Sequence, residues 1–168
     1  MKNFLVAIVF VIVGTGSVMA QSKVAHVNSQ TLLDTLPSRK LAILKLQEFE
    51  SSGVKELQEM EADFNAAVAK YQAGAADMSP ILVKIEEEKL MKKQQALQER
   101  EQSLNSEMQA YSQELNTPIL GMVQKAVKAV SERLKINYVI DESVTLYFAG
   151  GTDITNQVIT ELLKMDKQ

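Results

Sequence analysis

The sequence predicts a mainly α, α+β protein in which a long antiparallel α-helical coiled-coil hairpin joins a small β-containing body. Three observations predict this fold: two successive stretches of helical periodicity and nearly equal length, a turn between them, and short strand-like segments near both ends. Apolar residues in steps of three or four form one face of a helix, whereas alternation indicates a strand. We place the body at residues 21–37 and 118–168 and the hairpin at residues 38–117.

The first twenty residues have the layout of a secretory signal peptide. Lys2 precedes an unbroken apolar run from Phe4 to Val13, and small or apolar residues stand at positions 18–20. The run is too short for a hydrocarbon core that needs about 20 apolar residues, so an uncleaved membrane anchor is the weaker alternative. We expect cleavage after Ala20.

The composition argues against several classes of function. Lys2 is one of 18 basic residues, so the mature chain keeps 17 basic and 21 acidic side chains, a net charge of −4. A mildly acidic chain has no electrostatic reason to bind nucleic acid. The absence of cysteine removes disulfides and thiol chemistry, so stability must come from packing.

The first strand is predicted at Lys23–Asn28, where two sets of side chains alternate. A short turn or helix follows and is closed by Pro37. The first helix of the hairpin runs from about Ser38 to Ala76. Its narrow apolar stripe suits a coiled-coil seam: Leu46, Phe49, Gly53, Leu57, Met60, Phe64, Ala67 and Tyr71.

The turn of the hairpin carries helix-ending and helix-starting residues. Gly74 can end one helix, and Ser79 can cap the next with Pro80 at its first position. The second helix runs from Pro80 to about Asn116, with a seven-residue repeat at Leu90, Leu97, Leu104 and Tyr111. Gln94 and Glu101 fall at seam positions where apolar residues are expected, so the hairpin should be able to bend and splay.

The C-terminal part of the chain predicts the remainder of the body. Asn116-Thr117-Pro118 predicts a kink or a restart before a wide aliphatic helix. Two strands are expected at Asn137–Asp141 and Val144–Phe148, and Asp153 should cap a last helix. Three short strands make a small core, which favours oligomerisation.

The residues with catalytic potential have simpler structural interpretations. His26 lies in a strand, Asp141 ends a strand and Asp153 caps a helix, while Glu86–Glu88 point in different directions on a helix. No glycine-rich phosphate-binding loop and no nucleophile motif is present. We therefore expect no catalytic residue, no metal and no cofactor, and a protein that is not an enzyme.

Methionine and aromatic residues concentrate in the distal half of the hairpin. Methionine is flexible and suits surfaces that accept many partners. The alternative is that these side chains close the seam between the two helices. The candidate binding positions are Met60, Phe64, Tyr71, Met78 and Ile81.

The order and spacing of these segments resemble the Skp/OmpH family of periplasmic chaperones over essentially the whole mature chain. The first strand and the hairpin match in position, and the C-terminal stretch carries the most specific segments: Val127–Val130, Tyr138–Asp141, Leu146-Tyr147 and Asp153–Thr155. The best-known member of the family is strongly basic, whereas this chain is mildly acidic, so its charge offers no support for contact with a membrane or with lipopolysaccharide.

The resemblance implies a homotrimer whose strands form a shared trimerisation body and whose hairpins enclose a client. It implies an ATP-independent holdase that keeps unfolded outer-membrane β-barrel proteins from aggregating in the periplasm. The body positions expected at the subunit contacts are Val24, Val27, Val139, Ile140, Leu146 and Tyr147. The rival hypothesis is a structural or adaptor protein of the cell envelope that docks to one fixed partner.

Overall fold

A computed structural model describes residues 22–167, so the predicted signal peptide lies outside the described residues. The chain begins with a strand and a short helix, extends into a long helical hairpin and returns to two further strands and a last helix. In chain order the elements are β1 (Val24–Val27), α1 (Ser29–Asp34), α2 (Pro37–Gly74), a 3₁₀ turn (Ala75–Asp77), α3 (Pro80–Leu134), β2 (Tyr138–Asp141), a 3₁₀ turn (Glu142–Val144), β3 (Thr152–Asp153) and α4 (Thr155–Met165). This confirms the predicted fold class.

The small sheet is wholly parallel and has the order β2-β1-β3. Val24 is paired with Tyr138 and His26 with Ile140 on one side of β1, while His26 is paired with Asp153 on the other. A parallel pair needs a crossover connection, and here the whole hairpin forms the crossover between β1 and β2. The hairpin is thus an insertion between two neighbouring strands.

The core lies on the inner face of this sheet. Side chains from all four helices and from β1 are buried there: Ala25, Val27, Leu32, Leu36, Ala42, Ile119, Ala126, Val130, Ile154, Val158 and Leu162. The predicted apolar faces of the helix after Pro118 and of the last helix supply five of these eleven residues. The cluster is small for a protein of this length, since most of the chain is in the hairpin.

Local signals explain where the hairpin helices begin and end. α2 ends at Gly74, and α3 begins at Pro80 with Ser79 as its cap, whose hydroxyl accepts the Leu82 N–H. At the other end of α3, Lys135 adopts a left-handed conformation and the Ile136 N–H returns to the Ser131 carbonyl, which directs the chain into β2. Within residues 22–167, no helix combines the length and the apolar content needed to cross a membrane.

The restart predicted at Pro118 is wrong, because α3 is one helix of 55 residues that runs through it. Proline removes one helix hydrogen bond, to the Glu114 carbonyl, and both residues are exposed. The next residue, Ile119, is buried in the core. Packing of Ile119 keeps the helix continuous, so tertiary contacts outweigh the local proline signal.

The strand predicted at Val144–Phe148 is also wrong for the protomer. The Asp141 carboxylate accepts the Ser143 N–H, and the Thr145 hydroxyl donates to the Asp141 carbonyl, so the chain turns away from the sheet after β2. The third strand forms later, at Thr152–Asp153, after Gly151 with a φ of 102°. Residues 145–150 therefore run outside the sheet.

Candidate binding surfaces

One close contact fixes the register of the hairpin. Gly53 on α2 is buried, and Leu104 on α3, with 7% exposure, lies directly over it. A Cβ at position 53 would lie only 2.3 Å from Leu104 Cδ1. Elsewhere the seam is looser: its other members are half-buried, including Phe49 and Tyr111, whose rings pack at 5.2 Å between centroids.

The two edges of the hairpin differ in chemistry. One edge carries ion pairs between the helices, since Arg100 bridges Glu56 on α2 and Glu107 on α3, at 2.8 and 3.1 Å, and Lys93 pairs with Asp63. Arg100 donates hydrogen bonds to Glu56 and Glu107, and these raise the pKa of Arg100 above its usual value, with the larger effect from Glu56. Because Asp63 follows Glu56 by seven residues and Lys93 precedes Arg100 by seven, the pairs form a ladder along one edge.

The opposite edge carries a groove of about 350 Å³ between the helices. Its lining is apolar at the floor and acidic or amide at the rim: Glu50, Val54, Leu57, Glu101, Leu104, Asn105 and Met108. Glu101 is one of the two polar residues that interrupt the predicted seam. A carboxylate there cannot pack against the opposite helix, so the helices leave a space at this height.

The five predicted binding positions differ in exposure and contacts. Met60 and Phe64 are half-buried on the predicted apolar stripe of α2. Tyr71 is half-buried, and its hydroxyl donates to Glu87 Oε1 across the hairpin at 2.9 Å, which raises the pKa of Tyr71. Met78 is half-buried beside Gly74, while Ile81 is 75% exposed.

Sequence reasoning missed several exposed aliphatic side chains. At the tip these are Leu82 and Ile85, and towards the body they are Leu41, Ile43, Leu44, Val54 and Leu120. The sequence did contain the signal, because these residues lie outside the apolar stripe of their helices. On a rod of two helices, an apolar residue outside the seam has no partner within the protomer.

The outer face of the sheet is an exposed apolar surface. Val24 of β1 lies on it, with Tyr138 and Ile140 of β2. Beyond β2, Tyr147 is 81% exposed beside the fully exposed Leu146. Val27, with 5% exposure, points to the inner face, and Val139 packs partly against the same core. The six predicted contact residues therefore divide into four on exposed surface and two that pack within their own protomer.

His26 lies on the outer face and joins several segments. Its Nδ1 is 2.6 Å from Glu142 Oε1, its ring stacks on Phe148 at 4.8 Å, and Asn28 donates to the other Glu142 oxygen. Among residues 22–167, His26, Glu142 and Asp153 form a group of metal-ligating types, with ligand atoms within 4.8 Å of one another. Glu142 holds the turn after β2 against β1 through His26 and Asn28, while Asp153 accepts a hydrogen bond from Thr155 at the start of α4.

Two carboxylates stabilise the turns at the ends of the strands. Burial raises the pKa of Asp141, but hydrogen bonds from Ser29 and Ser143 outweigh it, so the pKa lies below its ordinary value. Hydrogen bonds from Thr155 lower the pKa of Asp153, whose Oδ1 accepts the Thr155 N–H at 2.8 Å. Asp153 thus holds the first turn of α4, as the sequence predicted, although Ile154 occupies the capping position itself.

These surfaces define the class of protein: a helical hairpin on a small parallel-sheet body, with apolar side chains exposed along the hairpin and on the sheet. The chain belongs to the OmpH-like outer membrane protein family, whose model matches residues 23–162. It is similar to proteins named chaperone protein Skp from Photorhabdus laumondii and Pectobacterium atrosepticum, each 28% identical over 96% of this chain and 99% of the relative.

Two further comparisons cover most of the chain. The chaperone protein Skp of Escherichia coli K12 is 27% identical over 96% of this chain and 99% of its own length. The crystal structure of an OmpH-like protein from Caulobacter crescentus CB15 superposes with a TM-score of 0.75, at 16% identity, over 86% of this chain and 85% of the other. The likeness to that structure concerns the fold alone.

Proposed function

We propose that this protein is an ATP-independent holdase chaperone of the periplasm, which binds unfolded outer-membrane proteins and prevents their aggregation in transit. The observation that carries the proposal is a long hairpin of two helices with aliphatic side chains exposed along both of them. Full-length similarity to proteins named as chaperones supports it. No bound nucleotide and no catalytic step is part of the proposal.

The proposed active form is a homotrimer held together by the body, residues 21–37 and 118–168. Its contacts would use Val24 and Ile140 on the outer sheet face, together with the exposed Leu146 and Tyr147 beyond β2. The segment Val144–Phe148 has the β-branched and aromatic composition of a strand but no strand partner among residues 22–167 of its own protomer. The open edges of a neighbouring sheet offer such a partner, which would bury the apolar segment.

Clients would be held by many weak contacts on the hairpins. Ile81 and its exposed neighbours Leu82 and Ile85 offer apolar surface at the tip. Met60, Phe64, Tyr71 and Met78 would contribute when the seam opens, because all four are only half-buried. Several hairpins acting on one chain give affinity through multivalency and not through a single tight site.

The test uses the mature protein, residues 21–168, with a urea-denatured outer-membrane β-barrel protein diluted into buffer. We expect suppression of client turbidity and a trimer mass by light scattering. Leu146→Asp should lower the mass and abolish suppression, because it places a charge in the proposed contact. Gln157→Asp, which adds the same charge on the exposed face of α4, is the matched control.

A mature protein that is a monomer and lets the client precipitate would refute the proposal. Preserved suppression in a monomeric Leu146→Asp variant would instead refute the need for a trimer. A protein that binds one native envelope partner and leaves the unfolded client to precipitate would favour the adaptor hypothesis.

A further inference from the structure

We propose that the groove beside Gly53 binds an extended segment in which an apolar residue is flanked by lysine or arginine. This inference rests on the proposed function and deepens it, because it specifies which client segments one edge of the hairpin prefers. Among the residues that the structure describes, the groove is lined by four apolar side chains, two glutamates and one asparagine, with no basic residue.

The apolar floor is accessible. Val54 is 42% exposed, and Leu57 and Met108 are half-buried around Leu104. The volume of about 350 Å³ lies at the lower end of the range for small binding sites, so the groove suits one or two side chains and not a folded domain. An extended chain meets this shape well, since alternate side chains project to the same side.

The negative charge at the rim of the groove favours a segment with basic residues. Glu50 and Glu101 are exposed on opposite helices, and neither has an ion-pair partner among residues 22–167. The nearby cation of the hairpin, Arg100, faces the other edge and is already engaged by Glu56 and Glu107. Two uncompensated carboxylates beside an apolar floor favour a cationic neighbour of the bound side chain, through complementarity that salt screens.

The geometry fits a segment with basic residues next to an apolar one. When the apolar side chain enters the groove, its neighbours in an extended chain project from the opposite face of the segment. Lysine and arginine have long flexible stems with a terminal charge, so they can fold back over the edge of the segment and reach the carboxylates of the rim. Aspartate or glutamate next to the bound apolar residue would be repelled by the carboxylates of Glu50 and Glu101.

The test measures anisotropy of labelled twelve-residue peptides bound to the mature protein: alternating valine and lysine, valine and glutamate, and serine and lysine. We expect the valine-lysine peptide to bind at least about fivefold more tightly than either other peptide, with affinity that falls as salt rises. Glu50→Gln with Glu101→Gln should weaken its binding about fivefold. The matched control, Glu61→Gln with Glu114→Gln, neutralises two exposed carboxylates elsewhere on the hairpin and should leave binding unchanged.

Equal binding of the valine-glutamate peptide, or equal effects of the two double variants, would overturn this inference. A Val54→Ser variant tests the floor separately and should weaken the valine-lysine peptide without changing the serine-lysine peptide. If wild-type protein suppresses aggregation of the barrel client but shows none of these preferences, the groove inference fails alone. If wild-type protein neither binds the peptides nor suppresses aggregation, the holdase proposal fails with it.

Discussion

Gly53 and Leu104 should behave as one packing unit. Gly53→Ala in an ordinary exposed helix would stabilise by about 1 kcal/mol, because glycine carries a helix-propensity cost of that size. Here the new methyl would lie 2.3 Å from Leu104 Cδ1 and 2.8 Å from Cδ2, so Leu104 must leave its position. Overpacking of this kind costs about 1–3 kcal/mol, which cancels or exceeds the propensity gain.

The sign of the effect should reverse when Leu104 is shortened. Leu104→Ala alone should destabilise the hairpin by about 2–3 kcal/mol, since a nearly buried leucine is lost from the contact. With alanine at position 104, the methyl of Gly53→Ala meets open space, and the full propensity gain of about 1 kcal/mol should return. The double-mutant cycle should therefore show a coupling of about 1–3 kcal/mol.

The assay is hydrogen exchange of the backbone amides at 50–57 and 100–108, at fixed protein concentration. Local exchange reports opening of the hairpin without requiring the body to unfold, and a constant concentration removes mass-action effects of association. The wild type, Gly53→Ala, Leu104→Ala and the double variant together form the double-mutant cycle. If Gly53→Ala stabilises these amides equally in both backgrounds, the close contact does not exist and the register of the hairpin is wrong.

Three further predictions concern the ladder, the proline and the strand end. Arg100→Met should lower the exchange protection of both hairpin helices at low salt, because Arg100 links Glu56 and Glu107. The variant should also remove most of the salt dependence of this protection. Unchanged salt dependence would contradict the ladder. Pro118→Ala should raise the free energy of unfolding by about 1–3 kcal/mol in urea titrations, since it restores a helix hydrogen bond; a loss of stability would show that proline is required there. The lowered pKa of Asp141 contributes stability that is present above the unfolded pKa of about 3.9 and lost as pH falls through the folded pKa. Asp141→Asn should therefore flatten the pH dependence of unfolding, measured by circular dichroism, below about pH 4.

Local sequence signals were sufficient where they act within one helix or one strand. Gly74, Ser79 and Pro80 predicted the ends of the hairpin helices, and the stripe that includes Gly53 predicted the seam. The signals were insufficient where distant packing decides the outcome. The proline within α3 is tolerated because the neighbouring Ile119 is buried in the core. The apolar pattern predicted that burial, but not that it outweighs the proline.

The candidate surfaces were harder to predict than the fold. The sequence identified apolar residues, but which face each residue occupies depends on the register between strands and between helices. Val27 is an apolar strand residue like the predicted contact residues. It lies on the inner face of the sheet, however, and is part of the core of its own protomer. The hydrophobic positions alone could not predict the groove, because it lies where Glu101 interrupts the seam.

The segment Val144–Phe148 links the sequence to the proposed assembly. Its composition favours a strand, while the bonds around Asp141 turn it out of its own sheet and leave Leu146 fully exposed. A monomer that kept this conformation would present a run of five residues with high β-propensity and no charge, which is an aggregation hazard. The conflict between local preference and protomer structure disappears if the segment pairs with another copy of the chain, so the segment itself argues that the protomer is an incomplete unit.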